Sequence, residues 1–230
     1  MSIIDKAMKK LQDNKSSSVT KRITPKIKAT KYKAKITNSR SNKCKLHLDR
    51  KRLISAGLSI SAADGSLTVD NAFRRIKRPI LANAFGKESA LVEHGNIVMI
   101  CSSLSGEGKT FNAINLSMSI AIELDKTVLL IDADLPRRNT TSLFGLDDES
   151  GLTDVLVGEK NLTDVIVSTD LQDFKILPAG TKHHLGTELL ASDKMFNLIT
   201  ELASRYQDRI IIFDTPPLLI TSEAQVLAGL

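Results

Sequence analysis

Ile97-Val98-Met99-Ile100-Cys101-Ser102-Ser103-Leu104-Ser105-Gly106-Glu107-Gly108-Lys109-Thr110 is the stretch on which the fold turns. Its first residues form an unbroken apolar run and read as a buried strand. Thr110 to Leu124, with Ala113, Ile114, Leu116, Met118, Ile120, Ala121 and Leu124, reads as a helix. The segment between them fits the phosphate-loop pattern G-x-x-x-x-G-K-[ST], with Ser103 in place of the first glycine. Gly106 and Gly108 let the backbone curl so that N–H groups face phosphate oxygens. The helix N-terminus adds about half a positive charge. Lys109 can reach β- and γ-phosphates, and the Thr110 hydroxyl can ligate Mg2+. The candidate ATP-binding residues are therefore Ser103, Ser105, Gly106, Glu107, Gly108, Lys109, Thr110 and Phe111.

Outward from this loop, strands and helices alternate. Val128 to Ile131, Phe174 to Leu177 and Ile210 to Phe213 read as further buried strands. Leu152 to Leu156 and Leu162 to Val167 read as short helical pieces. Leu189 to Tyr206 reads as one amphipathic helix. Asn71 to Phe85 reads as a helix that stops or kinks near Arg78, because Pro79 follows. Continuous apolar strands alternating with helices predict an α/β fold with a doubly wound, mostly parallel sheet covered on both faces. Two more strand ends carry chemistry. Asp132-Ala133-Asp134 follows the second strand, and Asp214-Thr215-Pro216-Pro217 follows the last. Carboxylates at these ends share a crevice with the phosphate loop. Asp132 and Asp214, with Thr110, are candidate Mg2+ ligands. Lys109, Asp132 and Asp134 are candidate catalytic groups, since one carboxylate can hold the metal shell while the other orients or deprotonates an attacking hydroxyl. Cys101 is expected in the core. His183 and His184 sit in a loop without a Cys or carboxylate at zinc spacing.

Charge divides the chain. Of 230 residues, 32 are Lys or Arg and 26 Asp or Glu, a net +6. Residues 1–60 hold 17 of the bases against three acids, a net +14, so residues 61–230 carry −8. Ser-, Thr-, Lys- and Asn-rich sequence from Gln12 to about Arg52 lacks a sustained apolar period and predicts a disordered basic linker. Ile3, Ile4, Ala7, Met8 and Leu11 before it suggest a short helix. We therefore expect residues 1–66 as helix plus linker and 67–230 as the nucleotide-binding domain. The basic segment fits a solvated linker, attraction to an anionic membrane surface or non-specific nucleic-acid binding. Tyr32 is its one aromatic residue, which disfavours single-stranded nucleic acid. No apolar run approaches the ~20 residues of a membrane span. No secretory leader is visible and cysteines are few, which points to the cytoplasm.

Together the three strand-end segments resemble the bacterial tyrosine kinases of polysaccharide biosynthesis, which are P-loop NTPases. Ser102 to Thr110 matches their S-S/x-x-G-E-G-K-[ST] loop, Leu129 to Asp134 their Asp-x-Asp strand end, and Phe213 to Pro217 their Asp-[ST]-Pro-Pro. Gly151 to Leu156, Leu177 to Gly180 and Glu188 to Ser192 extend the similarity. Ile76 to Ile80, Pro216 to Leu219 with Ser222 to Ala224, and the M-S-x-I-x-K-A start look like the exosortase-associated tyrosine autokinase branch. The resemblance covers roughly residues 70–230 and the first dozen. It implies transfer of the ATP γ-phosphoryl group to tyrosine, within a homo-oligomer or on partners. It also implies activation by a membrane polysaccharide co-polymerase or chain-length regulator, and a cytoplasmic position at the inner membrane. Three features depart from the family. Pro136 delays the arginines after Asp-x-Asp to Arg137 and Arg138. The helical oligomer contact Glu-x-x-Arg-x-x-Arg corresponds to Asn71, Arg74 and Lys77. Tyrosines number two, Tyr32 and Tyr206, of which Tyr206 is expected to be structural. The chain runs 13 residues past Pro217, so a C-terminally shortened domain is expected. The rival family is the ParA/MinD ATPases, which share the fold and the Asp motif. Their second lysine early in the loop has no counterpart, since no Lys lies between Cys101 and Lys109. A third reading is a non-catalytic ATP-sensing partner of a membrane assembly.

Overall fold

A computed structural model describes residues 45–58, 67–86, 94–205, 208–219 and 221. These fall in one compact unit within 42–230. In chain order the elements are α1 (Arg50–Ser55), α2 (Leu67–Phe85), β1 (Ile97–Ile100), α3 (Lys109–Ala121), β2 (Thr127–Asp132), α4 (Asn139–Leu143), α5 (Leu152–Val157), α6 (Leu162–Val165), β3 (Val167–Ser168), β4 (Phe174–Leu177), α7 (Gly186–Leu190), α8 (Asp193–Arg205) and β5 (Arg209–Asp214). The sheet order is β1-β5-β2-β4-β3. β1, β5, β2 and β4 run parallel, and the two-residue β3 pairs antiparallel with β4. The doubly wound, mostly parallel sheet is as expected.

Period-two alternation splits each central strand between two cores. Val128, Leu130, Ile210 and Ile212 face a layer containing Ile114, Met118 and Ile120 of α3, with Phe144 and Phe73. Leu129, Ile131, Ile211 and Phe213 face Leu152 and Leu156 of α5 and Met195, Leu198 and Leu202 of α8. The four apolar residues of β2 from Val128 to Ile131 are wholly buried. Each such side chain contributes about 1.5–3 kcal/mol relative to exposure. That is why an unbroken aliphatic run, ambiguous in period, settles as a central strand.

Several expectations are corrected. The linker reading fails over 45–58. Leu46 makes a parallel bridge with Thr169, and Asp49 caps α1 by accepting from Arg52 N at 3.1 Å. Leu48, Leu53 and Leu58 are buried in the first core. One leucine, Leu53, suffices for α1 because a helix needs to bury just one face, while Leu48 and Leu58 anchor the chain before and after it. Pro79 does not stop α2, which runs through it to Phe85. Pro79 and Arg75 are exposed, so the carbonyl deprived of its amide donor faces water. The run from Leu189 divides into α7 and α8 at Ser192, whose Oγ accepts from Met195 N at 3.4 Å. α3 ends at Ala121, three residues short of Leu124, and the piece at 162–167 turns into β3 at Val167. Cys101 lies past the end of β1 and is exposed. Lys77 is buried, donating to Ser119 O and pairing with Glu123 Oε1, both at 2.6 Å. It thus joins α2 to α3 within the chain. Residues 3–11, Tyr32 and Tyr206 lie outside the described residues. Among the described residues no helix is long and apolar enough to cross a membrane.

Candidate active site

The phosphate loop leaves β1 and enters α3 through two residues in the left-handed region, Gly106 at φ 85° and Gly108 at φ 86°. A side chain at either would be strained, and a Cβ at Gly106 would meet nothing within 4 Å, so the loop borders open space there. The loop is braced from within and from behind. Glu107 accepts from Leu104 N at 3.0 Å, and Ser102 Oγ donates to Leu104 O at 2.7 Å. Leu218 N donates to Ser102 O at 2.9 Å, and Thr215 Oγ1 donates to Ile100 O at 2.9 Å. The Pro-Pro segment after β5 thus holds the loop in place.

Register brings the carboxylates together. Asp214 pairs with Ile100 on one side and Asp132 on the other, all at strand C-termini. Adjacent strands lie about 4.8 Å apart. Asp132 and Asp214 are fully buried and Asp134 nearly so. Asp132 Oδ1 accepts from Asp134 N at 3.2 Å. Its Oδ2 accepts from Thr141 N at 2.8 Å and Thr141 Oγ1 at 2.7 Å. Asp214 Oδ2 accepts from Thr140 Oγ1 at 2.8 Å, while its buried Oδ1 has no hydrogen-bond partner among the described residues. Burial pushes Asp132 up to about 7 against the Thr141 hydrogen bonds, and Asp214 and Asp134 add repulsion. Burial pushes Asp214 up to about 6, opposed by Thr140, the Thr110 hydroxyl and the Lys109 charge. Lys109 itself is 7% exposed.

Three buried carboxylates beside one buried ammonium form an excess of negative charge that a divalent cation would neutralise. Among the described residues no three His, Cys, Asp or Glu side chains could hold a metal ion by themselves. Mg2+ takes one or two carboxylates and fills its octahedron with phosphate oxygens and water. The open arc of the loop, the unpartnered Asp214 Oδ1 and the nearby Thr110 hydroxyl match that demand.

The charge excess has a measurable consequence. Both raised values exceed the ordinary 3.8. Between about pH 4 and pH 7 the folded protein therefore holds protons that the unfolded chain has released. Their contribution to stability falls as pH rises through that window. Asp214→Asn removes one of these charges. Without metal or nucleotide, its melting temperature relative to the parent is expected to climb from about pH 3 to about pH 7. The gain corresponds to roughly 3 kcal/mol, or several degrees, for a two-unit shift. Melting curves showing a constant offset would contradict the buried-charge account.

Other residues join this site without having been expected. Arg137, displaced by Pro136, donates from Nη1 to Ser105 Oγ and so lies over the phosphate loop. Thr140 and Thr141 hold the two strand-end carboxylates; their visible sign was a buried-type Thr pair nine residues after a strand. Phe111 turns its ring toward Phe73, with centroids 6.4 Å apart, so its part in ligand binding is confined to its backbone. Ser103 is exposed and Ser105 half-buried on the loop.

A phosphate loop, an Asp-x-Asp strand end and a Walker-B aspartate on neighbouring parallel strands define a P-loop NTPase. The chain belongs to the AAA domain family AAA_31, whose profile matches residues 95–228, and within it to the bacterial tyrosine kinases. It is 36% identical over 132 residues to tyrosine-protein kinase YwqD of Bacillus subtilis, covering 57% of this chain and 54% of that one. It is 35% identical over 162 residues to tyrosine-protein kinase Etk of Escherichia coli, covering 70% of this chain and 22% of Etk. The crystal structure of the VpsO kinase domain matches with a TM-score of 0.59 and 32% identity, over 74% of this chain and 79% of that domain. The chain spans about half the length of the first relative and under a quarter of the second.

Proposed function

We propose that this chain transfers the γ-phosphoryl group of ATP to a tyrosine hydroxyl, as the named activity of its relatives suggests. The carrying observation is the register that sets Asp132 and Asp214 side by side next to the phosphate loop. The tyrosine oxygen forms a bond to the γ-phosphorus as the bond to the bridging oxygen breaks, leaving ADP. The hydroxyl proton passes to a strand-end carboxylate, Asp134 or Asp132; the raised pKa of Asp132 suits a transient base. Lys109 and Arg137 offset charge on the phosphates, and the loop amides orient them. Thr110 and Asp214 would hold Mg2+, with Asp132 fixed behind them through Thr141. When bound, the ion neutralises charge building on the transferred group.

The acceptor tyrosine is on another copy of this chain or on a partner protein. A membrane polysaccharide co-polymerase or chain-length regulator is the proposed activator, placing the chain in the cytoplasm at the inner membrane in exopolysaccharide biosynthesis. The basic residues of 1–60 would add attraction to anionic lipid, about 1 kcal/mol for each base near the surface. We assign residues 45–58 to the catalytic domain, since they share its core. Incubation with γ-labelled ATP and Mg2+ is expected to place label on tyrosine. Release of free phosphate with no labelled protein would instead indicate a ParA/MinD-type ATPase, and binding without turnover a nucleotide sensor.

A further inference from the structure

Behind the Asp-x-Asp turn lies a second cavity of about 290 Å3, over the ends of β2 and β4. Arg138, Lys182, His183 and His184 line it, and none of its lining residues is Asp or Glu. The turn separates it from the phosphate loop through consecutive residues. Arg137 reaches Ser105, whereas Arg138 lines the cavity. Arg138 is 8% exposed and held in the left-handed region at φ 57°. Its Nη2 donates to Asp147 O at 3.0 Å, but its buried Nε has no hydrogen-bond partner among the described residues. A buried guanidinium donor left without an acceptor is costly unless something supplies one.

The cavity wall is rigid before any ligand arrives. Thr153 Oγ1 shares its one proton between two acceptors, Ala179 O at 2.8 Å and Thr181 O at 2.7 Å. Asp154 Oδ2 accepts from Gly151 N at 2.6 Å and Thr181 N at 3.1 Å, so that carboxylate is committed to the wall. Gly180, at φ 86°, comes so close that a Cβ would lie 2.4 Å from Asp154 Oδ2. Opposite, His183 and His184 stack with centroids 4.6 Å apart. His183 Nδ1 accepts from Leu185 N at 3.2 Å, which leaves Nε2 as the ring's donor. Lys182 and His184 are exposed at the mouth.

We propose that this cavity docks an acidic side chain of the polypeptide whose tyrosine is phosphorylated, setting the acceptor's register against Asp134; this deepens the kinase reading and rests on it. A donor-rich, carboxylate-free lining selects an anion. Its size, at the lower end of ligand pockets, suits one side chain and not a second nucleotide. Its place one turn from Asp134 puts it beside the reacting hydroxyl. Glu or Asp flanking the tyrosine would meet Arg138 at the base and Lys182 with the histidines at the rim.

The test uses the full chain and fluorescein-labelled peptides with Phe in the tyrosine position, flanked by Glu or by Gln. The Glu peptide is expected to bind about tenfold more tightly, in line with a charge-assisted hydrogen bond. That preference is expected to collapse in the combined surface variant Lys182→Ala, His183→Ala, His184→Ala, and in Arg138→Met. The basic N-terminal segment is common to all these proteins, so a difference between them reports the cavity. A Glu preference unchanged in the surface variant would overturn the proposal even if Arg138→Met failed to fold. Tyrosine versions with γ-labelled ATP judge the other half. The proposal expects the surface variant to raise KM for the Glu peptide about tenfold with kcat held. Bound nucleotide with no label on any peptide would overturn the kinase reading, while the binding titration still decides the cavity.

Discussion

Lys109→Ala is expected to lower affinity for Mg2+·ATP by at least about a hundredfold, read by calorimetric titration with a non-hydrolysable analogue. Lys109 opens α3 from within the loop and is almost completely buried. Its ammonium acts directly on Asp214, drawing that carboxyl down against burial. Removing it has two effects of the same sign. The phosphate tail loses its buried counter-charge, and Asp132, Asp134 and Asp214 are left with none at close range from this helix. Asp214 would then be protonated further up the pH scale and bind Mg2+ less readily at neutral pH. Lys109→Arg keeps the charge but not the compact ammonium, and is expected to recover part of the loss. Unchanged affinity in Lys109→Ala would overturn the phosphate-loop assignment, and with it every role placed on the strand ends.

Thr141→Val is expected to be the most damaging near-isosteric change in the site. Thr141 is wholly buried in α4. Its Oγ1 donates to Asp132 Oδ2 at 2.7 Å and accepts from Ala179 N at 2.9 Å. One hydroxyl therefore ties the end of β2 to the end of β4. Valine fills the same volume but removes the acceptor of the buried Ala179 amide and leaves Asp132 Oδ2 with the Thr141 amide alone. At about 1–3 kcal/mol for the unsatisfied amide and about 1 kcal/mol for the lost hydrogen bond to Asp132, the loss is about 2–4 kcal/mol, or roughly 5–15 °C in melting temperature for a chain of this size. Asp132 would also lose the contact that most opposes its raised pKa, so phosphoryl transfer should shift to higher pH. Thr141→Ser keeps the hydroxyl and is expected to cost only about 1 kcal/mol for the lost methyl group. Thermal melts that rank Val and Ser alike would show that the hydroxyl is not what matters.

Much of this site is legible in the sequence alone. Lys109 and Thr110 stood out through the glycine-rich loop pattern, and Asp132 and Asp214 because each follows a short apolar run, and an apolar run too short for a helix has few other ways to be buried. What stayed hidden depended on partners far away in sequence. Nothing near Thr141 reveals that Ala179 N will need an acceptor, and nothing near Arg137 reveals that Ser105 lies within reach. The leucines of 45–58 looked too sparse to fold, since their value depended on a core assembled from α2, α3 and strands later in the chain.

Local periodicity and glycine placement by themselves determined the four parallel strands, the phosphate loop and the strand-end carboxylates, because these follow from burial and from backbone angles that neighbouring residues impose; the two-residue β3 was hidden in a helical reading. Tertiary structure alone decided that Asp214 sits between Ile100 and Asp132, that Arg137 and Arg138 face opposite sides of one turn, and that a second basic cavity opens behind it. Those outcomes are set by strand order and register, which no single segment carries.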